Sequence, residues 1–184
     1  MNRKVFITGP NTIDKLAIAK LLVEKDDDLS IADRFTNNDS YINSENDEYI
    51  YYLSTQEIDL SYKNNAMLFV NTNNYISTGI TLDSYYNNDI CVMSLCEFNN
   101  ISDVIFKSEL NDIVLIWIDS DVIKSNFDKS DINESQFLQE RLDYDSNIKY
   151  MYFFNEDPDV ITDIILEYLD GDEVKRNELL EENN

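Results

Sequence analysis

Ile113-Val114-Leu115-Ile116-Trp117-Ile118 is an unbroken apolar run, and it narrows the possible folds more than any other stretch of the chain. Side chains in a strand alternate between two faces, so a run with no polar position offers both faces to a hydrophobic layer. Such a strand belongs in the middle of a mostly parallel sheet that is covered on both sides. Ile90-Cys91-Val92-Met93 is a second run of this kind. Further strands are expected at 4–8, 29–32, 49–53, 66–71 and 150–154.

Helical spacing fills the intervals. Ile13, Leu16, Ala17, Leu21 and Leu22 lie on one face of a helix over 13–25. Ser54-Thr55-Gln56-Glu57 carries the capping-box pattern, with Ser at the N-cap and Glu three residues later, and predicts a helix through about 63. A short helix is expected at 82–87, and longer ones at 99–110, 120–127 and 133–144. Pro158 opens a closing helix with Val160, Ile161, Ile164, Ile165 and Leu169 at helical spacing, and Gly171 marks its end. Residues 33–48 are polar, Asn-rich and without period, which predicts a loop. The acidic stretch 171–184 is expected to be helical at most and not deeply buried. Strands alternating with helices define an α/β fold, a three-layer sandwich with a mostly parallel central sheet.

The 184 residues, 43% of them hydrophobic, suffice for one domain with a substantial core. No apolar run reaches membrane-spanning length, and the chain enters its first strand without a signal-type apolar segment, so a soluble cytoplasmic protein is expected. With 37 acidic against 14 basic residues the formal net charge is -23. A field of that sign repels nucleic-acid backbones and anionic membranes, and it favours basic surfaces as partners. No histidine is present, which removes the usual neutral-pH base and the Ser-His and Cys-His nucleophile pairs. Cys91 and Cys96 form no zinc pattern and read as small core residues. Asp119, Asp121, Asp128 and Asp131 lack the glycine and glutamate of a calcium loop and read as a solvated face. No metal and no cofactor is expected.

The segment that joins the first strand to the first helix has the position of a phosphate-cradling loop. Its pattern, Gly, four residues, then Gly-Lys-Ser/Thr, presents backbone N–H groups and a lysine to phosphate and a hydroxyl to Mg²⁺. Gly9, Pro10 and Lys15 fit that place, whereas Asp14 replaces the second glycine and Leu16 the hydroxyl. Asp14 sets a carboxylate where a phosphate would approach. In the first turn of the helix it would substitute for the missing anion, so Asp14→Gly is expected to cost about 1 to 2 kcal/mol.

The order of these pieces resembles the guanylate kinases, among the nucleoside monophosphate kinases, over nearly the whole chain. Gly9-Pro10 and Lys15 match the family's phosphate loop, and Arg34 matches the first arginine after its second strand, with Asn37 near the place of the second. Tyr51, Tyr52, Ser54, Glu57, Asn74, Tyr75 and Thr78 follow the family's monophosphate-binding insertion. The resemblance implies one domain over 1–184, with a core of 1–32 and 81–170, a small mixed α/β insertion at 33–80 and an acidic tail at 171–184. Residual nucleotide contacts would fall to Arg34, Tyr75, Thr78 and Arg141. The departures are concentrated at the chemistry. Val70 stands where the family reads guanine with a glutamate, Ser94 and Cys96 where it carries an Asp-x-Asp pair, and Lys124, Lys129 and Arg141 where its lid carries several arginines.

These substitutions predict a catalytically inactive kinase-like fold that serves as an acidic protein-interaction module. The profile resembles phage proteins that bind a host sigma factor, so the expected partner is a basic host factor of transcription or replication, in the host cytoplasm. Tyr41, Tyr62, Tyr85 and Tyr86 lie in polar surroundings and are the candidate partner contacts. The competing reading is an active nucleoside monophosphate kinase with a rearranged phosphate site.

Overall fold

A computed structural model describes residues 3–10, 13–41, 48–107, 113–119, 129–144 and 148–184. In chain order the elements are β1 (Lys4–Thr8), α1 (Lys15–Lys25), β2 (Arg34–Thr36), a 3-10 turn (Asp39–Tyr41), β3 (Ile50–Tyr52), α2 (Thr55–Lys63), β4 (Met67–Asn73), β5 (Ile76–Thr81) and α3 (Leu82–Asn87). They continue with β6 (Ile90–Val92), α4 (Leu95–Lys107), β7 (Ile113–Asp119), α5 (Lys129–Tyr144), β8 (Tyr150–Phe154), α6 (Pro158–Asp170) and α7 (Glu173–Glu182). The chain divides into two compact units, Met1–Ser30 with Ile90–Asn184, and Ile31–Asp89.

The first unit is built on a parallel sheet in the order β6-β1-β7-β8. β7 is interior, as its apolar run requires, with Leu115 opposite Tyr150 on one side and Lys4 opposite Ile113 on the other. Phe6, Ile7, Leu115 and Ile116 are fully buried. Helices pack in pairs, α1 with α6 and α4 with α5. The first pair is tied by Lys25, whose Nζ lies 2.9 Å from Asp163 and 3.0 Å from Asp159. Phe98 of α4 sits over Phe6 of β1, ring centroids 5.8 Å apart. α4 begins at Leu95, earlier than its periodicity suggests, because Ser94 and Glu97 form a reciprocal cap. Ser94 N–H donates to Glu97 Oε2 at 2.9 Å, and Glu97 N–H donates to Ser94 Oγ at 3.3 Å. α7 is less peripheral than an acidic tail suggests, since Leu179 is buried and the Asn183 carbonyl accepts the Tyr152 N–H at 2.7 Å.

The second unit is a mixed sheet in the order β3-β2-β5-β4, parallel between β2 and β3 and antiparallel elsewhere. α2 starts where the sequence places it, with both halves of the Ser54–Glu57 capping box formed. The expected strand at 29–32 is reduced to a bridge at Ile31, and β2 lies instead inside the segment read as loop. There Arg34 N–H donates to the Tyr49 carbonyl at 2.8 Å, so pairing rather than hydrophobicity sets the strand. β4 and β5 form a hairpin through Asn74 and Tyr75, both in the left-handed region at φ 49° and 68°. That is the backbone of a two-residue type I′ turn, made here without glycine. Gly79 of β5 is required by packing, because an added Cβ would run into the Phe69 carbonyl oxygen of β4 and meet Phe35 Cζ at 2.6 Å. The expected helix at 120–127 and Asp121, Lys124 and Asp128 lie outside the described residues. Among the described residues no helix is long and apolar enough to cross a membrane.

Candidate functional site

The loop after β1 keeps its strand-to-helix position while turning its polar groups inward. Gly9 is buried against β7, where a side chain would run into the Ile118 carbonyl oxygen. Its glycine therefore answers a backbone contact. Ile13 N–H donates to the Pro10 carbonyl at 3.1 Å. Lys15 N–H donates to the Ile13 carbonyl at 3.0 Å, and with φ -79° and ψ 77° Asp14 is the centre of an inverse γ-turn. One residue before the helix, Asp14 is its N-cap and not a member of its first turn. The Asp14 carboxylate accepts the Ala17 N–H at 3.1 Å.

This corrects the expected cost of Asp14→Gly, because glycine is tolerated at an N-cap and loses only a few tenths of a kcal/mol there. Lys15 is buried at 8% exposure, and its ammonium donates to the Pro10 carbonyl at 2.8 Å and the Ile13 carbonyl at 3.3 Å. An anion-binding loop directs such donors at its ligand. Here three backbone N–H groups and the lysine are bonded within the loop and its cap.

Ser94 and Cys96, at the place of the family's acidic pair, stand at the start of α4. Ser94 caps the helix through Glu97, and that carboxylate is itself buried. Cys96 is exposed, not the core residue its type suggests, and partial desolvation with the nearby Glu134 and Glu97 charges raises its thiol above its ordinary value. A neutral thiol is a poor metal ligand. Among the described residues no group of His, Cys, Asp and Glu side chains could hold a metal ion. Asn99 and Asn100 of α4 and Asn133, Glu134 and Phe137 of α5 line a cleft of about 330 Å³. Asn99 Nδ2 donates to Glu134 Oε2 across it at 2.7 Å. Arg141 lies on α5, half-buried in its last turn.

In the second unit Arg34 and Thr78 share a shallow cleft of about 180 Å³ with Thr36, Asn38, Ile50 and Ile76. The Arg34 guanidinium carbon stands 5.7 Å from the centre of the Phe69 ring. Tyr75 does not join that cleft; it projects from the hairpin tip at 96% exposure. Asn37, near the place of the family's second arginine, braces the tip. Its Nδ2 donates to the Tyr75 carbonyl at 3.2 Å, and its Oδ1 accepts the Ser77 N–H at 2.6 Å. Val70 faces Gly79 across the hairpin and carries no hydrogen-bonding group. Burial raises the carboxyl of Asp33 and the phenol of Tyr51 above their ordinary values.

The candidate partner tyrosines separate. Tyr62 and Tyr86 are exposed, at 68% and 51%. Tyr85 is buried at 2%, a core residue of α3 with its ring centroid 5.2 Å from that of Tyr86, so its polar sequence surroundings mislead. Tyr41 closes the 3-10 turn, and its side chain lies outside the described set. Leu60 and Ile76, not singled out from sequence, are also exposed.

Neither a family model nor a curated protein matches the chain. Among solved structures it is similar to the guanylate kinase from Anaplasma phagocytophilum, with a TM-score of 0.59 and 12% identity. The likeness covers 97% of this chain and 86% of that one. The fold is guanylate-kinase-like: α/β, with a parallel four-stranded sheet and a second mixed sheet.

Proposed function

We propose that this chain is a catalytically inactive member of the guanylate-kinase-like fold that acts by binding a basic protein, as a phage or viral protein that occupies a host transcription factor such as a sigma factor, or a replication protein. The observation that carries the inactive half is the bonding of Lys15 to the Pro10 and Ile13 carbonyls. Phosphoryl transfer works by positioning and by neutralising charge with lysine, Mg²⁺ and arginines. Here the lysine is turned into the loop, and Leu16, Ser94 and Cys96 replace the groups expected around the metal. The partner half is supported by the net charge of -23 and by the exposed Tyr62, Tyr75 and Tyr86.

A thermal melt with millimolar Mg-ATP, GTP, GMP and dTMP tests the first half. A ligand present at 100 times its Kd stabilises by about 2.7 kcal/mol, which a melt resolves readily, and no shift is expected. A reproducible shift would favour the second reading, an active nucleoside monophosphate kinase, whose support is the cleft that joins Arg34 to Thr78. Capture from a bacterial lysate tests the second half. Retained basic proteins should elute as salt is raised, and capture indifferent to salt would count against an acidic surface as the determinant.

A further inference from the structure

β8 is the outer strand of its sheet, and no described strand lies beyond it. Lys149 and Asn155 turn their backbone groups toward β7, since the Lys149 carbonyl accepts from Leu115 N–H and Asn155 N–H donates to the Asp119 carbonyl, both at 3.0 Å. By the pleat, Tyr150, Tyr152 and Phe154 turn theirs to the outer edge. There the Asn183 carbonyl already accepts the Tyr152 N–H at 2.7 Å, in the manner of a neighbouring strand. Beside this contact runs a groove of about 360 Å³, lined by Tyr152 and Phe154, by Val160 and Ile164 of α6, and by Glu156 and Glu182. Val160 is 45% exposed, a large apolar side chain left at the surface of α6 beside Ile164. The described lining includes two glutamates and neither lysine nor arginine.

We propose that this edge and groove take an extended, lysine- or arginine-bearing segment of the protein partner as a fifth strand, which replaces Asn183 on the Tyr152 N–H. The inference rests on the basic-partner reading above and gives it an address. Backbone pairing supplies the register, alternate apolar side chains enter between Val160 and Tyr152, and basic ones meet Glu156 and Glu182. A second copy of the chain is disfavoured as occupant, because it would bring another net charge of -23 to an acidic edge.

The probe is an end-blocked heptapeptide of alternating lysine and valine, titrated by calorimetry into the full chain at low salt. A version N-methylated at alternate amides serves as the control for strand pairing. Binding is expected to weaken at least tenfold with the methylated peptide and with Val160→Asp, whose exposed site leaves the fold intact. Amide exchange at Tyr150 should slow in the complex, and the Asn183 carbonyl should lose its contact with the Tyr152 N–H. Salt-sensitive binding that ignores both methylation and Val160→Asp would overturn this site while leaving the acidic-surface reading standing. The same holds if the peptide fails to bind while lysate capture remains salt-sensitive. Failure of lysate capture itself removes the parent reading. Self-association of the wild-type chain that Val160→Asp abolishes would assign the edge to a second copy and overturn the proposal.

Discussion

Tyr75→Gly is expected to stabilise the protein. Tyr75 is held at φ 68°, next to Asn74 at φ 49°, in a turn whose second position strongly favours glycine. A left-handed backbone costs a non-glycine residue about 1 to 2 kcal/mol, which the substitution releases. Glycine's freedom in the unfolded chain returns about 0.5 to 1 kcal/mol of that. Little packing is at stake, because the side chain is 96% exposed, and the Asn37 contact is to the Tyr75 carbonyl, which glycine retains. The balance is a gain of about 0.5 to 1 kcal/mol, or roughly 2 to 4 °C in Tm for 1 kcal/mol in a chain of this size. Urea unfolding of wild type, Tyr75→Gly and Tyr75→Ala reads it directly, since alanine keeps the strain and should give no gain. A loss of stability in Tyr75→Gly would refute the reasoning and show that the ring holds the hairpin. If the stabilised variant also loses its partner, an exposed aromatic kept at a strained position is explained by recognition.

Asp14→Ala should cost about 0.5 to 2 kcal/mol in a denaturant melt, Asp14→Gly a few tenths and Asp14→Asn less still, because the carboxylate serves as an N-cap. None of the three should gain an ATP-dependent shift while Lys15 remains bonded to its loop. Gly79→Ala should cost about 1 to 3 kcal/mol by overpacking against the Phe69 carbonyl and the Phe35 ring, and a neutral result would mean that both the β4 backbone and the ring can give way. The Ser54 hydroxyl and N–H hold the Glu57 carboxyl below the usual glutamate range. A depressed folded value makes the Glu57 contribution complete above about pH 4.5 and lost as pH falls through the lower folded value. The difference in urea midpoint between wild type and Glu57→Gln should follow that course, and a difference that grows toward acid pH would reverse the assignment.

The sequence exposes elements whose residues state their own environment. β7 has no polar position until Asp119, so its interior place could be read directly, and the Ser54–Glu57 spacing names its own cap. What it hides depends on partners distant along the chain. β2 falls in a polar, Asn-rich stretch and becomes a strand by lying between β3 and β5. β5 follows a turn that lacks the usual glycine, so no local signal announces the hairpin. Ser94 and Cys96 look in the sequence like a loss of acidic chemistry, yet Ser94 and Glu97 have the same capping spacing that locates α2, two helices earlier. Tyr85 shows the converse, a residue with polar sequence neighbours that the end of a short helix turns into the core. At the candidate site the residue types were legible, whereas the direction of the Lys15 ammonium was not, because it depends on where two carbonyls of an irregular loop point.

That direction bears on how such a loop persists without a ligand. An open phosphate loop leaves N–H groups at the positive end of a helix, a state that an anion or water must satisfy. In this chain the Asp14 carboxylate takes the Ala17 N–H, the γ-turn takes the Lys15 N–H, and the Lys15 ammonium takes two carbonyls. Admitting a nucleotide phosphate would mean breaking the lysine bonds and bringing like charge up to Asp14, within the field of a protein of net charge -23. The same field increases the encounter rate with a basic surface and costs the fold no further rearrangement. On the proposed reading, loop geometry and surface charge act in one direction, against an anionic small ligand and for a cationic macromolecule. On the proposed inactive reading, an ATP-dependent melting shift is expected only where Lys15 is released and the Asp14 charge removed together, and either change alone should leave the melt with Mg-ATP unshifted.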